Sequence, residues 1–201
     1  MSTSLSFITN ASYTALSGKE ALNELLQKLR DSNIERCVDL DHPSKKEQGN
    51  WSYRYFWHSQ PLSANFEGPF CNTPEVFANC TLVHTIYRYY LIYRNYDTYF
   101  FRDYRQEVFD LIQLLGGTEI IWLSDQTNVL GLYEQMVYNN CSYQEIKEAI
   151  TKKLGEPITN YRELNYDTLD YQKIECWVLD DFEDLKNGTD AYKDCESLMF
   201  G

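Results

Sequence analysis

Apolar residues recur along this chain in two different periods, and the switches between them mark its elements. Leu22, Leu25, Leu26 and Leu29 step by three and four, which stacks them on one face of an α-helix. Ser17-Gly18-Lys19-Glu20 ahead of them has the form of a capping box. Together they predict a helix over 18–31. Tyr104, Val108, Leu111, Ile112 and Leu115 form a second stripe, with Asp97 or Thr98 as its cap and Gly116-Gly117 as its stop. A third helix is expected over 130–139. A fourth follows Ser142-Tyr143-Gln144-Glu145, another capping box, and carries Ile146, Ala149, Ile150 and Leu154 before Gly155 and Pro157.

The period-two and continuous apolar segments read as strands. Residues 5–8, 34–40, 119–123 and 174–179 are short and apolar. Between 51 and 58, Trp51, Tyr53, Tyr55 and Trp57 alternate with Ser52, Arg54, Phe56 and His58, which predicts a strand. Residues 42–50 and 61–69 read as loops. Thr73-Pro74 resembles an N-cap with Pro at the first helical position, followed by Val76, Cys80, Val83, Tyr87 and Leu91 at helical spacing. The β-branched and aromatic content of 82–93 pulls the other way, and a helix over 74–93 is the expectation adopted. Residues 181–201 read as a short acidic helix or a tail. The elements do not alternate regularly enough for a doubly wound sheet. They predict an α+β fold: a single mixed domain over 1–201, with a small sheet packed with about four to five helices and an acidic C-terminal segment at 156–201.

Composition places the chain among ordinary folded proteins. It has 201 residues, 43% hydrophobic and 24% charged, with 17 Tyr. No apolar run approaches the ~20 residues that span a bilayer as a helix, so no membrane partner is expected. The start, MSTSLSFITNAS, lacks the basic and apolar regions of a secretory signal. A cytoplasmic location with reduced thiols is therefore expected for Cys37, Cys71, Cys80, Cys141, Cys176 and Cys195.

Charge changes the picture most. The net charge is -12, a field that repels nucleic acid and attracts basic partners. Between 156 and 196, twelve acids face only Arg162, Lys173, Lys186 and Lys193, so this stretch alone carries -8. Between 51 and 105 the cations are Arg54, Arg88, Arg94, Arg102 and Arg105, each beside an aromatic residue.

Two functions from different classes fit this asymmetry. The first is an acidic cytosolic binding protein of the inhibitor, immunity or anti-defence kind, which masks a basic surface of a protein partner. Asp180, Asp181, Glu183 and Asp184 would make the contact, with Trp177 and Tyr171 as aromatic anchors. The second is a small enzyme or binder of an anionic small molecule such as a nucleotide, held by Arg54, His58, Arg88, Arg94, Arg102 and Arg105. A plainer reading competes with both: the arginines bind the acidic third internally.

Catalytic signatures are sparse. His42, His58 and His84 are the only histidines, and no His-x-His or metalloprotease spacing occurs. Cys80 and His84 would share a face if 74–93 were helical, but such pairs are more often buried filler. Gly116-Gly117 precedes a strand, so it reads as a helix stop and not as a phosphate cradle. No catalytic residue, metal ligand or cofactor is assigned.

Overall fold

The first strand of the chain is central to the sheet. The computed structural model describes residues 4–12, 19–32, 36–37, 46–47, 52–56, 63–67, 72–88, 99–124, 130–159 and 177–188. Strand β1 (Ser4–Thr9) is followed by helix α1 (Lys19–Asp31), a small pair β2 (Arg36–Cys37) and β3 (Lys46–Glu47), and four strands. These are β4 (Ser52–Phe56), β5 (Ser63–Glu67), β6 (Asn72–Val76) and β7 (Thr81–Arg88). Then come α2 (Tyr99–Leu114), β8 (Ile120–Ser124), α3 (Leu130–Tyr138), α4 (Tyr143–Leu154), β9 (Val178–Asp180) and α5 (Glu183–Lys186). The fold is α+β, with five helices among the described residues. Seven strands form one sheet in the order β4-β5-β6-β7-β1-β8-β9, and every neighbouring pair is antiparallel.

Both faces of β1 and β8 are buried, which explains their continuous apolar runs. In β1, Phe7 faces one side and Ile8 the other. Phe7 is opposite Trp122 in β8, with ring centroids 5.1 Å apart. That face packs against Leu22, Leu25 and Leu29 of α1 and Val108, Leu111 and Ile112 of α2. Ile8, Leu82 and Ile121 face the opposite side, against Tyr133 and Val137 of α3 and Tyr143, Ile146 and Ile150 of α4. Helices thus cover both faces of the sheet around β1 and β8, and every side chain of Ile120–Leu123 is buried.

Two helix ends follow their sequence signals, while Ser17 and Gly18 of the first capping box and the caps expected at Asp97 or Thr98 lie outside the described residues. At the end of α2, Gly117 N donates to Ile112 O at 2.8 Å and Gly116 N to Gln113 O at 3.0 Å, with Gly116 at φ 83°. This paired pattern requires a left-handed residue at the first glycine. Gly117 is needed for a different reason: a Cβ there would collide with the Thr9 hydroxyl and Ile112. The Ser142 and Glu145 capping box of α4 is complete in both directions.

Three expected elements differ. Of the helix expected over 74–93, residues 74–88 belong instead to the hairpin β6–β7, turned at residues 77–80 with Phe77 N donating to Cys80 O, and 89–93 lie outside the described residues. Partners on both sides of these strands let the β-branched side chains of 81–86 override the helical spacing. Pro74 is tolerated because the β5–β6 ladder reaches only Glu75. The loop expected over 61–69 contains β5, so the sheet is larger than its sequence suggested. The loop expected over 42–50 contains β3; of the strand expected over 34–40, only Arg36–Cys37, in β2, lies among the described residues.

Candidate functional site

The most concentrated electrostatic arrangement joins the two halves of the charge asymmetry. Arg105 lies in α2 at positions i-3, i-4 and i-7 from Val108, Phe109 and Ile112, on the buried stripe of the helix. It is 2% exposed, and its guanidinium reaches the edge of the sheet. Nε and Nη2 donate to the two carboxylate oxygens of Asp180 at 2.7 and 2.8 Å. Nη1 and Nη2 donate to those of Asp184 at 2.6 and 2.7 Å. One planar cation is therefore gripped by two bidentate carboxylates, a geometry that lysine cannot reproduce.

Phe182 completes the clasp. Its ring lies under the guanidinium, 5.4 Å from centroid to Cζ, and against Phe109 at 5.1 Å between centroids. Its backbone is left-handed at φ 55°, uncommon for a bulky residue. Asp180 Oδ1 accepts from Phe182 N at 3.0 Å and holds that turn. Asp180 itself is placed by strand alternation: it shares a face with Val178 and is opposite Ile120.

The electrostatics follow from burial and proximity. Burial alone would lower the Arg105 pKa, but hydrogen bonds and charge from Asp180 and Asp184 outweigh it and hold the pKa well above its ordinary value. Burial likewise pushes the Asp184 carboxyl up, and the opposing pull of Arg105 leaves it below its ordinary value. The cation is permanently charged, and its two carboxylate partners take four of its five N–H donors. Its chemistry is that of a structural joint between α2 and the strand–helix corner 178–186.

The expected contact residues divide accordingly. Asp181 and Glu183 are exposed. Asp180, 5% exposed, points inward to Arg105, and Asp184 is half-buried on the same cation. Trp177, expected as a surface anchor, is fully buried in the core of the α3–α4 face, with its indole N–H donating to Gly155 O at 2.8 Å. Its position odd to Val178 sends it through the sheet to that face, and burial of its large apolar ring keeps it there. Asp180 and Trp177 are therefore corrected from surface to interior. Tyr171 lies outside the described residues.

Of the anionic-ligand set, Arg105 is committed to the clasp, as the plainer reading anticipated. Arg54, Arg88 and Arg102 have backbone positions in β4, β7 and α2. His58 and Arg94 lie outside the described residues. Cys80 and His84 do not share a helix face: Cys80 ends the β6–β7 turn and His84 is within β7. At strand rise, four residues span roughly 13 Å, too far for a nucleophile and its base.

A second polar cluster lies on the α3–α4 face. Asn79 Nδ2 donates to Asn140 O at 2.8 Å, tying the β6–β7 turn to the α3–α4 corner. The hydroxyls of buried Tyr133 and Tyr143 make no well-formed hydrogen bond. Burial, and then the nearby Glu119 carboxylate, raise the Tyr143 pKa. Among the described residues, no three of His, Cys, Asp and Glu gather closely enough to hold a metal ion.

No protein-family model matches this chain, and no curated protein or solved structure does either.

Proposed function

We propose that the protein is an acidic cytoplasmic binding protein, of the inhibitor or immunity kind, that masks a basic surface of a protein partner. The observation that carries this reading is the corner 180–186. The Arg105 clasp fixes its backbone from inside, while Asp181 and Glu183 stand on it in water. A negative surface on a preorganised frame loses little conformational entropy on binding and steers a basic partner by its field. The acids of 156–196 extend the same charge along the sequence. Among the described residues, no helix is long and apolar enough to cross a membrane. The commitment of Arg105 to Asp180 and Asp184 removes one cation from the nucleotide-binding alternative and narrows the contact set to Asp181 and Glu183.

The test uses the purified protein as bait at low and high salt, followed by rate measurements with the purified captured partner. Asp181→Lys with Glu183→Lys is expected to slow association about tenfold at low salt and leave the fold intact. Absence of any salt-sensitive partner, or an association rate unchanged by the double reversal, overturns the reading.

A further inference from the structure

We propose that Cys80 and Cys141 are a paired thiol site that closes to a disulfide under oxidising conditions, cross-linking the β6–β7 turn to the α3–α4 corner. The two residues immediately before them, Asn79 and Asn140, are hydrogen-bonded at 2.8 Å across 61 positions of sequence. That bond, from the Asn79 side-chain amide to the Asn140 backbone carbonyl, ties the two corners together one residue ahead of each thiol. Both backbones are also held locally. Cys80 O accepts from Phe77 N at 3.0 Å, and Cys141 N donates to Met136 O at 3.0 Å after the left-handed Asn140, φ 61°. Cys80 is a fully buried member of the core cluster against which half-buried Cys141 packs. Burial, and then the charge of Cys141, push the Cys80 thiol up to about 12.

The exposure difference orders the chemistry. Cys141 is the more accessible, so its thiolate attacks one sulfur of a small disulfide such as oxidised glutathione. That S–S bond breaks, a mixed disulfide forms on Cys141, and one glutathione thiolate leaves. Cys80 then gives its proton to water and attacks the Cys141 sulfur, expelling the second glutathione. Two protein thiols are oxidised and one glutathione disulfide is reduced to two thiols. The high pKa of Cys80 leaves little of it as thiolate and makes the second step slow at neutral pH. The inference is independent of the binding function.

The native protein is equilibrated in glutathione buffers of rising oxidised fraction and then alkylated in denaturant. Digestion with trypsin and a Glu-specific protease separates Cys71 from Cys80 at Glu75. A reducible Cys80–Cys141 peptide is expected, with a thermal midpoint raised on the order of 10 °C over the reduced protein. Cys141→Ser, a mild change at a half-buried position, is expected to lose both the peptide and the shift. The proposal is overturned if Cys141 carries only glutathione, if either cysteine links elsewhere, or if Cys80 is alkylated at every buffer ratio.

Discussion

Replacing Arg105 with Ala leaves the Asp180 carboxylate inside the protein without its cation. Arg105 is 2% exposed and Asp180 5%, so water does not take over solvation of the charge. Removing one partner of such a buried pair costs about 3–5 kcal/mol. Asp184, its side chain 21% exposed, regains some hydration, so the larger share of the cost comes from Asp180. Urea unfolding at pH 7, followed by tryptophan fluorescence, should show this loss as a fall in the midpoint. Asp180→Asn in the Arg105→Ala background should recover part of it, because the amide has no charge to desolvate. Acid supplies a second readout. The Asp184 pKa is lowered from 3.8 by Arg105, so its stabilising contribution is present at neutral pH and is lost as pH falls through the folded-state pKa. In Arg105→Ala this contribution is absent at every pH, so the gap between the two proteins should narrow below about pH 4. A loss under about 1 kcal/mol at pH 7, or a gap of constant size down to pH 3, would refute the clasp as the joint of this corner.

Two further outcomes test the frame around the clasp. Gly117→Ala should lower stability by about 1–3 kcal/mol through overpacking against Thr9 and Ile112, whereas Gly131→Ala, which has open space at its Cβ, should be neutral or slightly stabilising; paired thermal melts decide this. Trp177→Ala should cost about 3–5 kcal/mol by chemical denaturation, and a near-neutral result would return Trp177 to the surface.

Local signals were legible wherever a single segment decides its own conformation. The capping box at Ser142–Glu145 and the Gly116-Gly117 stop need only residues within one or two turns, and both form as their spacing predicts. In the hairpin 72–88 helical spacing and β-branched content coexist, and only pairing with β5 and β1 settles the contest. Arg105 carried a visible signal of its own: a cation on the apolar stripe of a helix implies a buried counter-ion. The identity of that counter-ion is non-local, 75 positions away at Asp180.

By itself, the sequence determined the α+β class, the positions of α1, α2, α3 and α4, and an excess of negative charge toward the end of the chain, because periodicity, caps and charge are properties of neighbouring residues. Tertiary structure alone decided which acids meet water. Asp180 and Asp181 are adjacent and chemically identical, yet strand alternation points one at Arg105 and leaves the other in solvent. The sign of a charge is written in the residue, but its solvation depends on what the fold places beside it.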